Sequence, residues 1–233
     1  IYSGEGWEMA EAQLSDRLSV HGPMERLRGG HTDEASVFAL RRRTLEMMHR
    51  WRQAPVRGFL GGRIDLIPHQ LFIAQEVGNR LAPRVLLSDE VGLGKTIEAG
   101  LILHRQLVTG RASRVLILVP ESLVHQWFVE MLRKFNVWMH IFDEDRCLAI
   151  EKAQPEANPF LDDQAVLCSI DFLAAHPERA KQAKEAGWDL LVVDEAHHLE
   201  WSEEKASEEY QLAEAIGQQA EGLLLLTATP EQL

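Results

Sequence analysis

Asp89-Glu90-Val91-Gly92-Leu93-Gly94-Lys95-Thr96 is the stretch on which the reading of this chain turns. An apolar run at residues 84–87 precedes it, and a helical pattern follows from Thr96. Strand, glycine-containing loop and helix in that order build a cradle for a chain of phosphates. Gly92 and Gly94 permit backbone dihedrals closed to other residues and leave room for the anion. Successive backbone N–H groups and the positive end of the helix then face the phosphates. Lys95 is placed to reach the β- and γ-phosphates, and the Thr96 hydroxyl to ligate Mg²⁺. In the common pattern G-x-x-x-x-G-K-[ST] a glycine opens the loop; here Asp89 holds that place. Asp89, Glu90, Val91, Gly92, Leu93, Gly94, Lys95 and Thr96 are therefore the expected nucleotide contacts, with ATP and Mg²⁺ as the implied cofactors.

A second signal lies far downstream. Residues 190–193 form an apolar run whose carboxyl end delivers Asp194 and Glu195. Ligands of open parallel sheets bind at that edge. Two adjacent carboxylates there are costly unless a cation or hydrogen bonds compensate. Asp194 reads as a Mg²⁺ ligand acting through water, and Glu195 as the group that orients or deprotonates an attacking water beside the metal. His197 is expected to hydrogen-bond near the γ-phosphate and His198 to lie at the surface, since adjacent histidines lack the spacing of a zinc site.

On either side of these motifs, apolar runs at 84–87, 115–119, 165–168, 190–193 and 223–226 alternate with amphipathic stretches. Near-continuous Val, Leu and Ile is the pattern of strands buried on both faces. Strand and helix in alternation imply an α/β fold: a parallel sheet with helices on both faces, the fold class of the P-loop NTPases. Residues 64–233 are assigned to this domain and 1–63 to a small N-terminal extension carrying a helix at 35–51. Arg41, Arg42 and Arg43 in that helix read as a solvated basic face, with a partner or phosphate contact as the alternative. The acidic stretches 143–163 and 200–209 read as surface segments.

Bulk properties narrow the class. The net charge of −12 argues against a general polyanion-binding surface. Residues 1–67 hold 10 of the 24 Lys and Arg but only 9 of the 36 Asp and Glu, so any nucleic-acid contact on the main domain would be a local groove. No apolar run is long enough for a transmembrane helix. Cys147 and Cys168 lack metal or disulfide spacing, and a reducing cytoplasm is the expected setting.

Taken together, these motifs carry a resemblance. Asp194-Glu195-Ala196-His197 resembles motif II of superfamily-two helicases and translocases, of the type named for a DEAH box. Residues 89–96 are similar to motif I of the SWI/SNF-type branch, where an Asp in place of the first glycine is usual. Thr227-Ala228-Thr229 resembles motif III, which links the ATP state to the grip on nucleic acid; a strand end capped by hydroxyls is the alternative. Ile67-Pro68-His69-Gln70 resembles the motif whose glutamine reads adenine, so Gln70 is carried over as an adenine contact, against the plainer reading of a helix opened by Pro68. Residues 119–127 resemble motif Ia, and Ser169-Ile170-Asp171 lies where motif Ib would. Trp127 is read as core packing, and Ser122 as a helix cap that can also meet a phosphate.

Within that branch the likeness is greatest to the bacterial, RNA polymerase-associated ATPases, strong over 64–233 and weak before it. It implies a RecA-like lobe, with Lys95 and Glu195 as catalytic residues and Thr96, Asp194 and Glu195 around the metal. RNA polymerase and double-stranded DNA or another nucleic acid are the implied partners, in the bacterial cytoplasm at the nucleoid. A strand-separating helicase and a nucleotide-gated interaction module remain as alternatives. Superfamily-two motors are similar in having two RecA-like lobes with ATP between them. These 233 residues include no second lobe with its arginines. Such an arginine is worth roughly 10³–10⁵ in turnover, so this segment alone is expected to bind nucleotide and hydrolyse it poorly.

Overall fold

The computed structural model describes residues 23–30, 34–52, 54, 57–59, 62–65, 67–88, 94–202 and 206–228. The chain divides into two compact units, residues 1–51 and 52–233. In the first unit the described elements are helices α1 (Pro23–Arg28) and α2 (Ala35–Arg52, which ends on the first residue of the second unit). The expected helix at 35–51 is present as α2. Its apolar side chains Val37, Leu40, Met47, Met48 and Trp51 are all exposed.

The second unit is a six-stranded, all-parallel sheet in the order β1-β6-β5-β2-β4-β3. Its elements follow in chain order: α3 (Pro68–Gly78), β1 (Arg84–Leu87), α4 (Lys95–Thr109), β2 (Val115–Val119), α5 (Val124–Glu130) and β3 (His140–Phe142). Then come α6 (Glu144–Ala153), β4 (Ala165–Ser169), α7 (Ile170–Ala175), α8 (Pro177–Glu185), β5 (Leu190–Val193), α9 (Glu208–Gln219) and β6 (Gly222–Leu226). All five expected strands are found. The sixth, β3, was not expected: it has three residues, pairs only with β4 and is too short to show a pattern.

The central strands β2, β4 and β5 bury both faces, and side-chain alternation along the strands sorts the core into two layers. Val115, Ile117 and Val119 of β2, with Val192 of β5 and Leu224 of β6, join Ala74 of α3, Ile102 of α4 and Trp127 of α5. Leu116 and Leu118, with Leu191 and Val193, join Cys147 of α6, Leu173 of α7, Ala183 of α8 and Ile216 of α9 on the opposite face. Helices on both faces of the sheet is the expected arrangement. The acidic stretch 143–163 lies mostly at the surface, as expected, but it contains α6 and buries Cys147 and Phe160, the latter stacking on Phe142 with ring centroids 5.1 Å apart. Its acidic residues still serve as helix-start groups: Asp143 accepts from the Arg146 N–H and caps α6. Cys147 and Cys168 are free and buried, and burial pushes the Cys147 thiol up to about 11.

Candidate functional site

The carboxyl ends of β1, β6, β5 and β2 lie side by side, and the candidate residues gather along them. β1 leads into the loop that ends at Gly94, the residue capping α4. Gly94 has φ +86°, a left-handed conformation that favours glycine. A side chain there is also excluded by space, because a Cβ would lie 2.5 Å from Nε2 of Gln70. Gln70, expected near adenine, is thus brought against the end of the phosphate loop and is only 3% exposed. Pro68 occupies the first turn of α3, so the helix-opening reading of Pro68 and the placement of Gln70 hold together. Lys95 and Thr96 begin α4, with their neighbours Ile97 and Glu98 donating backbone N–H groups to the Gly94 carbonyl. Asp89, Glu90, Val91, Gly92 and Leu93 lie outside the described residues.

Asp194 follows directly on β5, where its own N–H donates to the Leu118 carbonyl of β2. Its two carboxylate oxygens have separate partners. Oδ1 accepts from the Glu195 N–H at 2.8 Å, and Oδ2 accepts from the indole Nε1–H of Trp127 at 2.7 Å. Burial raises the Asp194 pKa, and the Glu195 charge adds to the rise; the Trp127 and Glu195 N–H groups and the Lys95 ammonium oppose it. Lys95 is therefore near enough to act on Asp194 electrostatically across the sheet edge. Trp127 is 2% exposed and packs in the core as expected, but its bond to Asp194 was not foreseen. The signal available was general: a buried indole N–H needs an acceptor.

Glu195 follows in a left-handed conformation, φ +50° and ψ +45°, uncommon for a residue with a Cβ. Backbone strain of this kind costs about 1–3 kcal/mol and persists where the surroundings over-determine it. His197 Nδ1 lies 3.2 Å from Oε2 of Glu195 and 3.4 Å from Oγ1 of Thr227, at the end of β6. Thr227 is itself buried and held by its N–H to the Leu87 carbonyl of β1. The acidic pair, the histidine and the expected motif III threonine thus form one connected set. Thr229 lies outside the described residues. The ring of His198 packs on that of His197, with centroids 4.1 Å apart.

At the neighbouring strand ends, Ser169 caps α7 by accepting the Phe172 N–H. Ser122 is exposed and caps neither the short 3₁₀ turn at Glu121–Leu123 nor α5. That turn is instead held by the Asp171 carboxylate, which accepts the Glu121 N–H at 3.0 Å. A cleft of about 430 Å³ opens beside the acidic pair, with Asp171, Glu200 and Glu209 in its lining and no Lys or Arg among its described residues. The carboxylates in the described lining disfavour a phosphodiester backbone there.

The described residues hold no cluster of three or more His, Cys, Asp or Glu that could bind a metal ion. Among the described residues, the oxygen donors along this edge include the hydroxyls of Thr96 and Thr227 and the carboxylates of Asp194 and Glu195. Few protein oxygens beside a phosphate cradle suit Mg²⁺, which keeps waters and shares phosphate oxygens.

A parallel sheet with a lysine-led helix after β1 and a buried acidic strand end defines a nucleotide-binding lobe of the P-loop class. The SNF2-related domain family matches residues 42–232, and the chain belongs to that family. It is 56% identical over 229 residues to the RNA polymerase-associated protein RapA of Photobacterium profundum. It is 56% identical over 228 residues to the RapA protein of Vibrio cholerae serotype O1. Each alignment covers 98% of this chain and 23% of the relative, so the chain spans about a quarter of the length of these proteins. Among solved structures, the SWI2/SNF2 ATPase core of Sulfolobus solfataricus in complex with dsDNA superposes with a TM-score of 0.59. That match has 21% identity over 73% of this chain and 33% of the other. The same core in a second structure gives 0.55 at 20% identity, over 71% and 32% of the two chains.

Proposed function

We propose that this chain is the ATP-binding lobe of an ATP-dependent nucleic-acid translocase that remodels or recycles RNA polymerase during transcription. The observation that carries the reading is the convergence of Gln70, Gly94, Lys95, Asp194, Glu195, His197 and Thr227 on one sheet edge. Residues 64–233 form the first RecA-like lobe in this reading, and 1–63 an N-terminal extension. The names of the relatives support RNA polymerase as partner. The complex of the Sulfolobus solfataricus core, which has the same fold, with dsDNA supports nucleic acid as the track. The bacterial cytoplasm, at the nucleoid, is the corresponding location. No helix among the described residues is long and apolar enough to cross a membrane.

Each residue has a task in this mechanism. Gln70 reads the adenine edge, for which an amide offers both a donor and an acceptor. The 89–94 loop, the start of α4 and Lys95 hold the phosphates and offset charge developing on them. Thr96 and Asp194 would hold Mg²⁺, which supplies neutralisation of the β- and γ-oxygens when bound. Glu195 orients the attacking water and accepts its proton. His197 connects Glu195 to Thr227, so a change at the γ-phosphate position reaches the end of β6.

The test is ATP turnover by the full-length protein with and without core RNA polymerase and with and without double-stranded DNA. Stimulation by polymerase that disappears in Lys95→Ala and Glu195→Gln is the expected result. Stimulation by nucleic acid alone, with no polymerase binding, would replace this reading with a general translocase or helicase.

A further inference from the structure

Trp127 joins two parts of the site that the sequence keeps 67 residues apart. It sits in α5, the helix that follows β2, and its indole crosses to the end of β5. An indole N–H can donate but not accept, so this contact fixes which group faces Oδ2. The Glu195 N–H fixes Oδ1 in the same way. With one donor on each oxygen, the carboxylate plane cannot rotate without breaking a bond inside a buried pocket. α5 is in turn anchored beyond its amino end, where Asp171 accepts the Glu121 N–H. The ring of Trp127 is itself immobilised, being 2% exposed among the side chains of one core layer.

We infer that Trp127 is a positioning residue for the metal: its indole N–H holds the Asp194 carboxylate in the orientation that accepts Mg²⁺ with nucleotide. The inference rests on the reading of Asp194 given above. Partners that orient a metal-binding carboxylate typically contribute about 10–100-fold in metal affinity or activity. The effect belongs to the metal and not to the nucleotide, since Trp127 bonds to Asp194 and lies on a different element from the phosphate loop.

The experiment titrates Mg²⁺ against full-length protein and follows binding of a fluorescent ADP analogue, with ATP turnover read in parallel. Trp127→Phe removes the donor and keeps an aromatic ring. A second form carries benzothienylalanine at position 127, which puts sulfur in place of the N–H at nearly constant shape and serves if the phenylalanine variant does not fold. The expected result is a Mg²⁺ midpoint raised about 10–100-fold, with analogue binding in EDTA unchanged. Phe160→Leu, a buried aromatic on the opposite core layer, serves as the packing control and should lower thermal stability without moving the midpoint. A Trp127 variant that lost stability with an unmoved midpoint would reduce the residue to packing and overturn the inference. Asp194→Asn separates the metal-binding role from the positioning role. If it leaves the midpoint unmoved, the reading of Asp194 falls and the inference with it; if it moves the midpoint and the Trp127 forms do not, only the positioning role falls.

Discussion

Asp194 and Glu195 are neighbours in sequence with different surroundings, and in the proposed mechanism the difference divides their work. Asp194 is buried with both oxygens engaged, whereas Glu195 is partly open and turned aside by its positive φ. A base acting on water should be separable from a group that grips nucleotide. Glu195→Gln keeps the shape and an acceptor but not the proton affinity, so turnover by the full-length protein should fall about 10²–10⁴-fold with nucleotide affinity retained. Phosphate release and analogue binding measure the two quantities; equal losses in both would assign Glu195 to binding instead. Gly94 supplies a second test. Gly94→Ala sets a Cβ 2.5 Å from Gln70 Nε2 at φ +86°, and the left-handed backbone alone costs about 1–2 kcal/mol. Denaturant unfolding should show at least that loss, and adding Gln70→Ala should relieve the steric part while leaving the backbone part. Much of this site was legible because a Gly-Lys-Thr loop and a strand-end acid pair are local patterns with local causes. The Trp127 partner was not, since no local pattern encodes a bond across 67 residues.

Among the elements, legibility followed burial. β2 and β5 were delimited by their apolar runs, because strands covered on both faces must be apolar throughout. β3 escaped notice because an edge strand of three residues gains little from pattern. α6 was hidden by its charge, although it packs Cys147 inward and turns Glu144 and Glu151 toward Arg179 of α8. That arginine, 7% exposed, takes both carboxylates at once and ties the two helices together. Hydrogen bonds from Arg179 lower the pKa of Glu144 and of Glu151 from the ordinary 4.5. Carboxylates depressed in the folded state contribute stability above their unfolded pKa and lose it as pH falls through the folded one. Thermal stability should therefore decline below about pH 4.5, and Arg179→Met should flatten that part of the profile; an unchanged slope would place the acid sensitivity elsewhere. α4 makes the converse point about small residues. Gly100 faces Phe135 of the π-helical turn at Met131–Phe135, where an added Cβ would lie 2.3 Å from the ring. Gly100→Ala should destabilise by about 1–3 kcal/mol in denaturant unfolding, even though alanine is the better helix former by about 1 kcal/mol.

For the molecule as a whole, the open point is where the nucleotide-binding body begins. The sequence motifs suggest residue 64, yet side chains before it are part of the same packed unit. Phe59 is buried in the layer that contains α3 and α4, and the Arg105 guanidinium lies 4.7 Å above its ring. Arg105 also donates to the Arg57 carbonyl at 2.6 Å, and His104 Nδ1 meets the Gly58 carbonyl. Arg63 donates its N–H to the Lys134 carbonyl at 2.7 Å. A chain begun at residue 52 keeps all of these contacts, while one begun at 64 loses them together. Burial of a phenylalanine side chain is worth about 1.5–3 kcal/mol, before the cation–π contact and hydrogen bonds are counted. For a unit of this size, about 1 kcal/mol corresponds to roughly 2–4 °C in melting temperature. The protein beginning at 52 should therefore match the 1–233 chain in melting temperature and in binding of the fluorescent ADP analogue. The protein beginning at 64 should melt at least roughly 3–12 °C lower. Equal melting of the two truncated forms would show that the 57–63 segment rests on the lobe without supporting it. Failure of the form beginning at 52, with normal behaviour of the full 1–233 chain, would show instead that the first unit is needed for the second to fold.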